Sequence, residues 1–182
     1  NSKTMIFAFP HVSNAIGTVN PARKMIELAK QVNAITVVDG AQAALHELLD
    51  MQALDCDFYT FSGHKLFAPT GVGVLYGKYD LLCEIPPWQG GGEMIETVSI
   101  SHSTYQLPPH KFEAGTPAIA EVIGLGKAIE YINNLDREHM NQKEQALVES
   151  LIENLLAIPK IRLIGDPENR LSVVSFLIED SH

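Results

Sequence analysis

Over the first eighty residues, short apolar runs alternate with amphipathic or polar stretches. Met5 to Phe9 is an apolar run closed by Pro10, suited to a buried strand. Asn20-Pro21 predicts a helix start, because Asn can cap and Pro is tolerated at the first helical position. Met25, Ile26, Ala29 and Val32 then recur with the spacing of one helical face. Ala34 to Val38 is apolar and rich in β-branched residues, the pattern of a parallel strand buried on both faces. It ends at Asp39-Gly40, and a short helix is expected over Ala41 to Leu48. Phe58 to Phe61 predicts the next strand, ending at Ser62-Gly63, and Val72 to Tyr76 another between glycines. Strands and helices alternating at this spacing predict an α/β sheet with helical crossovers.

The pattern changes after residue 84. Ile85 to Pro117 holds five of the ten prolines, the Gly90-Gly91-Gly92 run and Trp88, with little periodicity. A long, ordered, functional loop containing a hairpin is expected there. Two helices are predicted next, over Ile119 to Leu135 and Arg137 to Ile158. Leu147, Leu151, Ile152, Leu155 and Leu156 stripe the second. Strands are expected at Ile161 to Ile164 and Ser172 to Ile178. The chain thus divides into residues 1–110, part of a large sheet-bearing unit, and 111–182, linking helices and the start of a smaller α+β unit. It begins at Asn1, almost at once entering a strand, and stops just after another. Such ends predict an internal piece of a longer protein.

Composition narrows the function classes. Of 182 residues 46% are hydrophobic and 19% charged, enough for a packed core and unlike a disordered chain. The net charge of −9 argues against a general nucleic-acid binder or a polybasic membrane binder. The apolar runs fall far short of the ~20 residues of a membrane-spanning helix. Two cysteines, Cys56 and Cys83, make no CxxC pair and point to a reducing, cytoplasmic setting. The seven histidines show no metal-binding spacing, so no metal is expected.

The candidate chemistry sits where two predicted parallel strands end. Asp39 and Gln42 follow one strand; Ser62, His64 and Lys65 follow the next. In open α/β sheets ligands bind beyond the carboxyl ends of the strands, so both groups could share one site. An acidic group together with a lysine suits pyridoxal 5'-phosphate (PLP). The lysine amine would link to the aldehyde, and the carboxylate would keep the pyridine nitrogen protonated. The Gln42 amide could bond the phenolic oxygen, with Ser62 and His64 donating to the phosphate. Plainer readings stand beside these. Asp-Gly after a strand is ordinary turn chemistry. A lysine before Leu66-Phe67 can simply snorkel, and His64 can be a satisfied core histidine. Rival phosphate motifs fail: the Gly71, Gly73 pattern meets Tyr76 where a third glycine belongs, and Gly77-Lys78-Tyr79 lacks a P-loop's Ser or Thr.

At these residues the chain resembles the fold-type I PLP enzymes of aminotransferase class V. Within them it is most similar to the group II cysteine desulfurases, which include selenocysteine lyases and cysteine sulfinate desulfinases. The resemblance rests on HVSNAIGTVNP (11–21), VVDGAQA (37–43), LDCDFYTFSGHKLFAPTGVGVLYGK (54–78), PPWQGGGEMI (86–95) and FEAGTPAIAEVIGLGKAIEYI (112–132). It implies a mostly parallel sheet with helices on both faces, within a large PLP-binding domain followed by a small C-terminal one. It implies that Lys65 carries the cofactor and shuttles the proton, that Asp39 faces the pyridine nitrogen, and that Gln42 bonds the ring oxygen. Ser62 and His64 would bind the phosphate, and Asn14 the substrate carboxylate. Thr116 would reach the phosphate of a partner subunit's cofactor, so a homodimer is implied, with the Trp88 to Ile95 loop near the partner's entrance. The implied activity converts L-cysteine to L-alanine and passes sulfur, through a persulfide, to an acceptor protein for iron–sulfur or related assembly. The family's phosphate loop, ring-stacking histidine, sulfur-accepting cysteine and carboxylate-binding arginine would lie outside these residues. Cys56 and Cys83 replace none of them. A transaminase of the same class, or an inactive scaffold piece, is the alternative.

Overall fold

The computed structural model describes residues 1–180. Ser181 and His182, the last two residues of the expected 111–182 unit, lie outside the described residues. A four-stranded sheet organises the first half, in the order β1 (Ile6–Pro10), β2 (Ile35–Asp39), β3 (Phe58–Ser62), β4 (Gly73–Gly77). β1, β2 and β3 run parallel, whereas β4 returns antiparallel to β3. The sheet is mostly parallel, as the sequence predicts.

Helix α1 (Ala22–Lys30) makes the first crossover, burying Ala22, Ile26 and Ala29 along the predicted stripe. Ala22 and Ile26 pack with Phe9, Val38, Cys56 and Tyr59 into the main core. Ile26 and Val38 are almost wholly enclosed, so Ile26→Ala would cost about 2–5 kcal/mol. Asn20 does not cap this helix. Its side-chain amide instead donates to the Pro10 carbonyl at 2.7 Å, tying the loop to the end of β1.

The second crossover departs from expectation. Ala41 to Leu48 forms turns rather than a helix. The amides of Ala43 and Ala44 both reach the Gly40 carbonyl, and those of His46 and Glu47 both reach Ala43. The Arg137 guanidinium then takes up the carbonyls of Leu45 and Glu47 at 3.4 and 3.3 Å. A single turn, α2 (Met51–Leu54), follows, capped by the Asp50 carboxylate, which accepts from the amides of Gln52 and Ala53.

β4 leads into α3 (Tyr79–Glu84), and the proline-rich stretch carries the expected hairpin, β5 (Ile95–Val98) with β6 (Ser103–Tyr105). Helices α4 (Ile119–Asn133) and α5 (Arg137–Leu156) occupy the predicted positions. β7 (Ile161–Ile164) pairs antiparallel with β8 (Ser175–Ile178), which starts three residues later than predicted. No described helix is long and apolar enough to cross a membrane.

Candidate active site

Register brings the two predicted clusters to one edge. Asp39, the last residue of β2, lies beside Thr60 of β3, and Ser62 ends β3 two residues further on. The chain then turns through a short 3-10 helix, Gly63–Leu66, which presents His64 and Lys65 just past the strand end. Two features fix that turn. A Cβ on Gly63 would lie 2.8 Å from the Val72 side chain, so only glycine lets β3 and the start of β4 approach this closely. Phe67 ends the turn in the left-handed region, at φ 62°, and its ring meets Tyr131 of α4 edge-on at 6.3 Å. α4 also braces the following loop, where a Cβ on Gly124 would strike Pro69 at 2.7 Å. Leu66 is buried with Ala44 and Ile132. The lysine is therefore carried by a turn anchored on both sides.

The Asp39 end is pinned equally well. The Asp39 carbonyl accepts from the His11 amide at 2.8 Å, and the Gly40 amide donates to Thr60 at 2.8 Å. One Asp39 carboxylate oxygen, Oδ1, accepts from the Ala41 amide at 2.9 Å. The carboxylate is exposed, Gln42 and Lys65 are half-buried and His64 is exposed. Among the described residues, the side chains of Gln42, Ser62, His64 and Lys65 form no hydrogen bond or ion pair. A carboxylate, an amide, a hydroxyl, an imidazole and an amine thus converge on one edge, each with hydrogen-bonding capacity to spare.

Asn14 and Thr116 are placed less centrally. Asn14 is exposed on a tight turn after β1, at the same end of the sheet. That turn is clamped from the C-terminal side. Gly17, at φ 74°, lies so close to the Val173 carbonyl that a Cβ would approach it to 2.6 Å. The Leu171 amide donates to the Gly17 carbonyl at 2.9 Å. Thr116 is exposed, and the Gly115 amide next to it donates to Gly92 at 2.9 Å. The Gly90–Gly92 loop and the Thr116 loop are thereby joined, and neither bonds to the Lys65 group among the described residues. Trp88, on the same proline-rich stretch, is 94% exposed.

Sequence reasoning missed the layer beneath the site. Tyr59 is buried, and its hydroxyl lies 3.0 Å from His11 Nδ1. Burial pushes the Tyr59 hydroxyl pKa well up, and burial likewise lowers that of His11, against a weaker upward pull from Glu47. Nothing in the strand pattern of FYTF marks its tyrosine as anything but core. The one available signal is Gly40, which has to be glycine because that ring lies against it.

Aminotransferase class-V matches the chain over residues 1–182. The chain belongs to the aminotransferase class V family. Relatives of this class V chain include a cysteine desulfurase of Escherichia coli O9:H4 (strain HS), 50% identical over 100% of the chain and 45% of that protein. The solved cysteine desulfurase CsdA from Escherichia coli superposes with a TM-score of 0.93 at 38% identity, over 100% of this chain and 45% of that one. A C-DES lysine mutant with glycine covalently linked to its PLP cofactor matches with a TM-score of 0.81 at 26% identity, over 98% and 48%. The expected fold-type I architecture is borne out by these neighbours. The class V chain spans 45% of the length of the curated relatives it matches.

Proposed function

We propose that these residues are the lysine-bearing core of a PLP-dependent cysteine desulfurase, a cytoplasmic homodimer that takes sulfur from L-cysteine and leaves L-alanine. One observation carries the proposal: Asp39 and the Ser62–Lys65 turn meet at the carboxyl ends of adjacent strands, in a chain 50% identical to cysteine desulfurases. The donor set fits the cofactor chemically. It offers an amine for an aldehyde, an anion for a ring nitrogen, an amide for a phenolic oxygen, and a hydroxyl and an imidazole for a phosphate. Bound PLP supplies an electron sink for negative charge at the amino acid's α-carbon.

The chain's own residues then take these parts. Lys65 would hold the cofactor through its amine and would move the substrate's α-proton. Asp39 keeps the ring nitrogen protonated, and Gln42 orients the ring. Ser62 and His64 bind the phosphate, and Asn14 the substrate carboxylate. Thr116 serves the phosphate site of the second copy. Exposed apolar side chains along the proline-rich stretch, Trp88, Val98, Ile100 and Leu107, support a face that a second copy covers. Two free thiols support a reducing compartment.

The thiol that accepts sulfur is neither of these. Cys56 is fully buried, and burial pushes its thiol pKa up, away from the reactive thiolate. Cys83 is exposed on α3. β4 runs antiparallel to β3, with Gly77 opposite Phe58, so α3 starts at the end of the sheet remote from Lys65. A cysteine elsewhere in the longer protein passes the sulfur to an acceptor protein.

The test is product analysis of that longer protein with L-cysteine. Alanine and sulfur released in equal amounts, both lowered about 10²–10⁴-fold by Lys65→Ala, is expected. Amino-group transfer to a keto acid without sulfur release would instead favour a class V transaminase. Rates with cysteine, selenocysteine and cysteine sulfinate set the substrate preference.

A further inference from the structure

We infer that His11 and Tyr59 form a positioning pair that holds the Asp39 carboxylate in place from beneath. The inference rests on the proposed role of Asp39 opposite the ring nitrogen, and extends it to two residues that reach no ligand themselves. Four contacts carry it. The hydroxyl-bearing edge of the Tyr59 ring lies against Gly40, so close that a Cβ there would sit 2.0 Å from a ring carbon and 2.2 Å from the hydroxyl oxygen. The Tyr59 hydroxyl meets His11 Nδ1 at 3.0 Å, with the rings edge to face at 6.1 Å. The His11 amide donates to the Asp39 carbonyl at 2.8 Å. The Asp39 carboxylate is then oriented by the Ala41 amide, one residue past Gly40.

The loop closes on itself. From Asp39 it runs to His11 through the backbone, to Tyr59 through the side chains, and back to Gly40 through ring packing. A change at any member moves the peptide that carries the carboxylate. We assign the hydroxyl as the donor, because a buried phenol O–H needs an acceptor and a neutral imidazole nitrogen can be one. His11 is the partner that the buried phenol finds, so its O–H donates there rather than being left unmade. His11 Nδ1 therefore accepts, and its proton sits on Nε2.

Tyr59→Phe in the cofactor-loaded longer protein tests the pair, because it keeps the ring carbons against Gly40 and removes the hydroxyl that meets His11. Asp39→Asn, His11→Ala and His11→Gln accompany it. The readouts are the cofactor's absorption band, its dissociation constant and the thermal melt. Asp39→Asn is expected to shift the band and weaken cofactor binding strongly. Tyr59→Phe and His11→Ala should shift the band in the same sense and weaken binding about three- to tenfold, the loss of one buried hydrogen bond. His11→Gln keeps an acceptor for the phenol and should recover most of the loss. Folded Tyr59→Phe protein with wild-type band and affinity, while Asp39→Asn is altered, would overturn the pair and leave only a core bond. An unaltered Asp39→Asn would instead overturn the role of Asp39 itself.

Discussion

At the amino ends of β2 and β3, acidic, hydroxyl and amine groups are spent on one another. The Thr36 amide and hydroxyl both donate to Asp57 Oδ2, at 2.8 and 2.9 Å, and the Asp57 amide donates back to the Thr36 hydroxyl at 2.9 Å. Lys78 pairs with Asp57 at 3.2 Å and with Asp55 at 2.8 Å, and Lys30 also binds Asp55. At the carboxyl ends of the same two strands, the side chains of Ser62, His64 and Lys65 make no hydrogen bond or ion pair among the described residues, and Asp39 accepts only from the nearby Ala41 amide. The same residue types appear at both ends. One end is closed and staples the sheet, while the other leaves its donors and acceptors facing outward. Composition alone cannot separate the two; partnership can. A lysine surrounded by its own acids is structural, and a lysine on an anchored turn with no acid of its own is available for chemistry.

Exchanging the ends should give opposite phenotypes. In the longer protein, Lys65→Ala is expected to lower turnover about 10²–10⁴-fold, the scale of a lost proton-transferring group, with the melting temperature nearly unchanged. A Lys78→Met variant that lost activity comparably would erase the distinction between the ends.

Gly40→Ala comes next. Its methyl would overlap the Tyr59 ring, and neither neighbour is a flexible side-chain tip. A loss of about 3 kcal/mol or more in denaturant unfolding is expected. A stability within experimental error of wild type would show that the ring does not brace the turn.

Asp57→Ala should cost about 2–3 kcal/mol, because Thr36 is wholly buried and its amide and hydroxyl would lose their acceptor. Cofactor affinity should not move. A large change in affinity would mean that the two ends are not separate in function.

Smallest is the acid response of the closed end. Hydrogen bonds from Lys30, then Lys78, hold the Asp55 carboxyl down to about 2, below its ordinary 3.8. Burial pushes Asp57 up, but its bonds to Thr36 and Lys78 outweigh this and hold it below the ordinary range. Both carboxyls are depressed in the folded state, so their contribution is present above the ordinary value and is lost as pH falls through the folded one. For Asp55 that window runs from about 4 to about 2. Lys78→Met should flatten the melt's pH dependence in this window while costing about 0.5–1 kcal/mol at neutral pH. An unchanged acid limb would show the pairs to be idle.

The strands and the site edge were legible because their signals are local. A run such as Ile35–Val38 is β-branched at every position, and Asp39 and Lys65 fall where such runs stop. The turns over 41–48 were not legible. Their alanines and leucines favour a helix, but the carbonyls of Leu45 and Glu47 are satisfied by Arg137, some ninety residues away. Asn20 likewise reads as a cap from its neighbours, yet bonds Pro10 across a loop. His11 and Tyr59 escaped for the same reason. Tyr59 looks ordinary within its strand and His11 in the turn after one, and only the parallel register brings them together beneath Asp39.

Borohydride reduction of the cofactor-loaded longer protein, followed by peptide mapping, asks which lysine is bonded to the cofactor. A pyridoxyl adduct on Lys65 is the predicted result. An adduct on Lys78, Lys111 or any other lysine, with Lys65 unmodified, would contradict the assignment of the open strand edge as the active site.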